Sequence, residues 1–102
     1  MNKQAKKAFT ALKRIGAPVL DPSLGWGGHF AISGEVYGCD DGFYQGSKNY
    51  AADGMEWAEY YSTDYQESYS VFGVHNSIRA ILEKNDLYSE WINGGVLGVY
   101  SL

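Results

Sequence analysis

The chain has 102 residues, of which 45% are hydrophobic and 16% aromatic, and its net charge is −4. That length suits one domain, and the apolar content suffices for a core, which excludes an intrinsically disordered chain. The sequence has neither an apolar run of about 20 residues nor a secretory signal, and its one cysteine, Cys39, excludes an internal disulfide framework. We therefore expect one cytoplasmic domain over residues 1–102 that does not engage a membrane.

The first segment predicts an amphipathic helix over roughly Lys3 to Ile15. Its apolar residues recur at spacings of three and four, as a single helix face requires: Ala5, Ala8, Phe9, Leu12 and Ile15. Asn2 is suited to cap the start, Gly16 to take the left-handed position after the last turn, and Pro18 to prevent continuation.

The next segment predicts a loop followed by a strand. Leu24–Gly28 is Gly-rich and indicates a loop or a close-packing turn, and His29–Tyr37 alternates apolar and polar residues as a half-buried strand does. Gly38–Gly42 is typical of a turn, after which Phe43–Gln45 is a candidate returning strand. This part of the chain therefore contributes a strand or a hairpin.

The middle of the chain predicts two helices. Asp53 is followed three residues later by Glu56, a variant of the capping box, which indicates a short helix over Asp53–Ser62. Residues 63–72 alternate polar and aromatic groups and suit a loop or an extended edge segment. His75 begins a cap for a further helix through about Asp86.

The chain ends in a predicted hairpin. Two apolar runs, Leu87–Ile92 and Val96–Tyr100, are separated by an Asn-Gly turn at Asn93–Gly95, the strongest short-range hairpin signal. The order of elements predicts the α+β class, with a small antiparallel sheet packed against two or three helices. The sheet would combine the N-terminal strand or hairpin with the C-terminal hairpin.

Signatures of catalysis and of metal binding are absent from the sequence. Gly25–Gly28 precedes a predicted strand and lacks the adjacent Lys-Ser/Thr of a phosphate-binding loop. Cys39, His29 and His75 are too few, and not at the spacing, for a metal centre. We therefore predict a non-enzymatic protein without catalytic residues, metal or cofactor.

The charge is strongly segregated along the sequence. Residues 1–20 carry +5, whereas residues 21–72 carry −8 and seven of the nine tyrosines. Tyrosine is enriched in binding surfaces, and carboxylates present negative charge to a cationic groove. We therefore predict a partner-binding face formed by Asp40, Asp41, Glu56, Glu59, Tyr60, Asp64, Tyr65 and Glu67.

The acidic and aromatic run Asp53–Glu67, with Asp40 and Asp41 upstream, resembles small anti-defence proteins of phages and mobile elements, including anti-CRISPR and DNA-mimic antirestriction proteins. The resemblance is one of size, acidity and missing catalytic groups. It implies an inhibitor whose partner is a host nucleic-acid-binding protein or complex. The basic first helix departs from the DNA-mimic pattern and favours docking onto a protein surface.

Other interpretations remain open at this point. The five cations of the first helix are either a solvated face or a phosphate-binding patch, but the rest of the chain, at −9, repels nucleic acid. We therefore expect no direct contact with nucleic acid.

The cations of the first helix could also bind the acidic tract of a second copy, which would give a salt-sensitive homo-oligomer. A third interpretation is a ligand-binding or catalytic domain whose pocket uses Trp26, Trp57 and His29.

Overall fold

The computed structural model describes residues 1–34, 47–60, 69–71 and 73–102. In chain order the elements are α1 (Lys3–Ile15), a 3₁₀ turn (Pro22–Leu24), β1 (Phe30–Ser33), β2 (Tyr69–Val71), β3 (Val74–His75), α2 (Asn76–Lys84), β4 (Leu87–Asn93) and β5 (Val96–Ser101). The predicted α+β class is confirmed. Strands β1, β5 and β4 form an antiparallel sheet in that order, and β2 pairs antiparallel with β3. Within the described ranges, neither helix has the length and apolar character needed to cross a membrane.

Helix α1 has the limits that its sequence predicts. The Asn2 side chain accepts a hydrogen bond from the backbone NH of Ala5 at 2.8 Å, which caps the first turn. At the other end, Gly16 adopts φ 87°, and its NH bonds to the carbonyl of Lys13. The buried side chains of this helix are Ala5, Ala8 and Leu12.

The predicted C-terminal hairpin is also confirmed. Strand β4 pairs with β5 from Leu87↔Ser101 to Asn93↔Val96, with an irregularity just before the turn. In that turn the backbone NH of Gly95 donates to the Asn93 side chain at 2.8 Å. The hairpin supplies Leu97 and Val99 to the core.

Strand β1 is buried on both faces, so the predicted alternation of buried and exposed residues is wrong. All four residues of Phe30–Ser33 are buried. The chain before it lies along its edge, where Leu20 NH donates to the Ala31 carbonyl at 2.9 Å and Ser33 NH donates to the Pro18 carbonyl at 2.9 Å. Leu20 and Ala31 join Val96 in a small second cluster. Both faces of β1 are therefore covered.

The Gly-rich loop before β1 is a close-packing turn. Gly28 adopts φ 64°, and a Cβ at this position would overlap the carbonyl of Val99. The next residue, His29, donates its backbone NH to the same carbonyl at 2.8 Å. A glycine is needed here both for the backbone conformation and for the close approach to β5.

The main core lies between the helices and the inner face of the three-stranded sheet. Phe9 of α1 packs edge-on against Phe30 of β1, with ring centroids 5.1 Å apart. Fully buried side chains come from α1, α2 and all three strands: Leu12, Ile32, Ile78, Leu82, Leu87, Leu97 and Val99. This packing fixes the position of α2 and therefore of the residues around its first turn.

Not every predicted element is found where the sequence places it. The helix predicted over Asp53–Ser62 is wrong for residues 53–60, which form turns and isolated bridges. Helix α2 begins after His75 as expected, and β2 lies in the segment predicted to be a loop or an edge strand. The predicted turn Gly38–Gly42 and strand Phe43–Gln45 lie outside the described residues.

Candidate partner-binding face

The segment that carries Glu56, Glu59 and Tyr60 begins with a tight turn at Asp53. One carboxylate oxygen of Asp53 accepts a hydrogen bond from the backbone NH of Met55 at 3.0 Å. Ala51 NH bonds to the Met55 carbonyl at 2.8 Å and closes the loop, which needs Gly54 at φ 81°. Asp53 thus acts as the predicted local acceptor, but it serves the second residue after it, as in an Asx turn, and not the third, as in a capping box.

After this turn the chain pairs with β3 and does not form a helix. His75 NH donates to the Trp57 carbonyl at 3.0 Å, and Glu59 NH donates to the Gly73 carbonyl at 2.7 Å, on either side of the bridge between Ala58 and Val74. These long-range bonds replace the bonds to the fourth preceding residue that a helix requires. The extended backbone therefore sets where the side chains of Glu56 and Glu59 lie.

His75 connects this segment to the start of α2. Its Nδ1 accepts from the backbone NH of Ser77 at 3.0 Å, which makes His75 the N-cap of α2. Because Nδ1 is an acceptor, the proton of the neutral ring is on Nε2, which donates to both carboxylate oxygens of Asp53 at 3.0 and 3.1 Å. Two segments separated by more than 20 residues are held together by this contact.

Asp53, His75 and Ser77 are residue types that also form nucleophilic triads. The Ser77 hydroxyl lies 2.8 Å from His75 Nδ1. However, the lone pair of that nitrogen also receives the backbone NH of Ser77, so it is committed to capping the helix. The geometry is that of a helix N-cap supported by a carboxylate.

Three carboxylates lie near enough to Tyr69 for their charges to affect its ionisation, and we name Asp53, Glu56 and Glu59 the acidic cluster. Burial raises the pKa of Glu56 above its ordinary value, and the hydrogen bond and the charge of the adjacent Glu59 carboxyl raise it further. The Tyr69 hydroxyl donates to the backbone carbonyl of Glu56 at 2.7 Å. Burial, followed by the charges of the three carboxylates, raises the pKa of Tyr69 to about 12.

Tyr60 is only half-buried and contributes to packing. Its ring meets that of Trp91 edge-on, with centroids 5.4 Å apart. Trp91 belongs to β4, so this contact anchors the end of the 57–60 segment to the sheet. The sequence predicts a binding role for Tyr60, and the structure adds this packing contact.

The structure therefore brings together Glu56 and Glu59 of the predicted face. Its other members, Asp40, Asp41, Asp64, Tyr65 and Glu67, lie outside the described residues. Sequence reasoning missed Asp53, Tyr69 and His75 as members of this site. Asp53 and His75 were recognisable only as caps, because no local pattern indicates that residues this far apart meet.

The residues of the predicted aromatic pocket have other contacts. Trp57 is buried, and its indole Nε1 donates to the Lys48 carbonyl at 2.9 Å. His29 Nε2 is hydrogen-bonded to the Ser101 hydroxyl at 2.6 Å, and Trp26 is 44% exposed. The Trp57 ring is therefore part of the core.

The acidic cluster is not arranged as a metal centre: within the part of the chain that the structure describes, no three His, Cys, Asp or Glu side chains are placed to hold an ion. Its carboxylates can attract a cationic group and accept hydrogen bonds. Comparison with known proteins adds no relative, since no protein-family model, no curated protein and no solved structure matches this chain.

Proposed function

We propose that the protein is a non-enzymatic inhibitor that binds a host nucleic-acid-handling protein through its acidic, tyrosine-containing face. The observation that carries the proposal is that Glu56 and Glu59 are adjacent on a segment held by two hydrogen bonds, from the Tyr69 hydroxyl to the Glu56 carbonyl at 2.7 Å and from Glu59 NH to the Gly73 carbonyl at 2.7 Å. Like charges brought together raise the free energy of the folded state, and a cationic partner would relieve that cost on binding.

The fixed backbone around the acidic cluster also supports this function. Glu59 is held by its bond to Gly73, and Asp53 by its bonds to His75 and Met55. Carboxylates on a rigid segment lose little conformational freedom when they bind, so more of the electrostatic attraction appears as affinity. By the resemblance seen in the sequence, the partner would belong to a host defence system and carry a groove for phosphates.

The test is an affinity capture from host-type cell lysate with two matched charge-reversal variants. We expect the unaltered protein to retain a nucleic-acid-handling protein that is released by moderate salt and displaced by excess DNA. E56K/E59K should lose that protein, whereas E83K/E90K, with the same change in net charge on α2 and β4, should keep it. Retention of the same protein by E56K/E59K at moderate salt would show that the acidic cluster is not the binding face.

A further inference from the structure

The structure gathers most of the positive charge of the chain on one side of α1. Lys48, the single cation of the acidic tract, donates its backbone NH to the carbonyl of Gly16 at 2.8 Å, and its side chain lies against Gly16. It therefore joins the C-terminal end of α1. We name the resulting surface the cationic face, with members Lys3, Lys6, Lys7, Lys13, Arg14 and Lys48. These are six of the eight Lys and Arg residues of the chain, and all six are exposed.

Three of these cations, Lys3, Lys7 and Arg14, make no ion pair with the part of the chain that the structure describes. Instead, a shallow depression in the α1 surface is lined by Lys6, Lys7, Thr10, Ala11 and Arg14. Small Ala11 lets an anion approach closely between the cations, and the Thr10 hydroxyl adds a hydrogen-bond donor.

We infer that the cationic face binds the phosphodiester backbone of a nucleic acid. Lys3, Lys7 and Arg14 follow one flank of the helix over about 16 Å, at 1.5 Å per residue. A nucleic-acid strand presents one phosphate per about 3.4 Å of axis, so the flank spans about four or five phosphates. Lysine, arginine and hydroxyl groups are the side chains that contact phosphate oxygens.

Two other anionic partners fit this surface less well. Adsorption to an anionic membrane usually needs an apolar helix face to insert, but Ala5, Ala8 and Leu12 are buried in the core. A second copy would offer the acidic cluster, which lacks the regular spacing of phosphates along a strand. A strand that presents a phosphate about every 3.4 Å can meet each cation of the row, whatever the interval between them.

Net charge alone does not decide this contact, because salt limits the distance over which a charge acts on a bound strand. The sequence-based expectation of no direct nucleic-acid binding treats all charges as equally close to the ligand. At physiological salt, charges are screened over about 8–10 Å, and the molecule measures 34 × 29 × 24 Å. Only acidic groups within about that distance of α1 would repel a bound strand appreciably.

The test is fluorescence anisotropy with short labelled oligonucleotides of random sequence, as single strands and duplexes of DNA and of RNA, titrated at several salt concentrations. We expect sequence-independent binding whose affinity falls steeply as salt rises. K7Q/R14Q should weaken it about tenfold and lower the slope against log salt by about 2, because two phosphate contacts are lost. R79Q/K84Q, which removes the same charge from α2, should stay within about twofold of the unaltered protein.

Circular dichroism on both variants ensures that folded proteins are compared. Absence of oligonucleotide binding at low salt, or equal weakening by R79Q/K84Q, would overturn the inference. So would two other results obtained without oligonucleotide binding: adsorption to phosphatidylserine vesicles, or salt-sensitive self-association that K7Q/R14Q abolishes. Because E56K/E59K leaves the cationic face intact, it should keep oligonucleotide binding, and this separates failure of the inference from failure of the proposed inhibitor function.

Discussion

The cationic face and the acidic cluster both consist of like charges, but they differ in how exposed those charges are and in how close together they lie. On α1 the cations are exposed and distributed along a regular helix, where water and salt screen them. In the acidic cluster, the carboxyls of Glu56 and Glu59 touch, and the pKa of Glu56 rises because burial and its neighbour both oppose ionisation. The charges on α1 therefore lower the stability of the fold little. Those of the acidic cluster repel one another, and the backbone bond between Glu59 and Gly73 helps to hold them in place.

Disturbing the backbone contact between Gly73 and Glu59 should have the largest effect on the free energy of unfolding. Gly73 adopts φ 64°, and a Cβ there would overlap the carbonyl of Glu59. We expect G73A to lower the free energy of unfolding by about 3 kcal/mol or more, through overlap added to left-handed backbone strain. Urea denaturation measures this loss.

Gly54 provides the matched control, since it adopts φ 81° but has no neighbouring atom within 4 Å of an added Cβ. G54A should therefore show backbone strain alone, about 1–2 kcal/mol. Equal losses in G73A and G54A would mean that the contact between Gly73 and Glu59 is not a constraint on the cluster.

The same contrast explains what the sequence could predict. The limits of α1 and the C-terminal hairpin follow from local signals, namely the caps at Asn2 and Gly16 and the Asn-Gly turn. Asp53-Gly-Met-Glu56 fits an Asx turn as well as a capping box, and the choice is made by pairing with β3, which comes much later in the chain. For the same reason, the convergence of Asp53 with His75 and the placement of Lys48 on α1 have no local signature.

Titration of Tyr69 tests whether its phenol is buried beside the carboxylates of the acidic cluster. Its pKa of about 12 predicts that this tyrosine ionises after ordinary exposed tyrosines, which have pKa values near 10. The folded state holds the proton more tightly than the unfolded state, so this group lowers stability as the pH rises from about 10 through 12. The difference in absorbance at 295 nm between the unaltered protein and Y69F isolates this titration. A midpoint near 10 would contradict the burial of the phenol among carboxylates.

Neutralising Glu56 should change the free energy of unfolding less, and it should raise it, whereas removing an acid that is favourably paired lowers it. Because the folded state raises the pKa of Glu56, it binds the proton more tightly than the unfolded state does. Glu56 therefore adds to the free energy of unfolding at low pH, and this contribution is lost as the pH rises through its raised pKa. We expect E56Q to stabilise the protein at pH 7 by less than about 1 kcal/mol, since the carboxyl is partly exposed and screened.

E90Q is the control for this substitution, because Glu90 is an exposed acid of β4. Urea melts at pH 4 and pH 7 should show a gain for E56Q only at the higher pH and little change for E90Q at either. A loss of stability in E56Q at pH 7 would show that the charge of Glu56 is favourable in the isolated protein, and it would remove the strain on which the proposed inhibitor function rests.

The smallest effect on folding is expected from the cationic face. Lys7 and Arg14 are exposed, and the buried face of α1 does not include them. K7Q/R14Q should therefore change the free energy of unfolding by no more than about 0.5 kcal/mol, and most of that should come from losing the interaction of Arg14 with the helix dipole. Thermal melts at low and high salt measure this change. A large loss would assign these cations to folding, whereas an unchanged fold with weakened oligonucleotide binding would assign them to recognition. The two charged surfaces would then differ in kind: one is dispensable for folding, and the other is maintained against its own repulsion by Gly73 and His75.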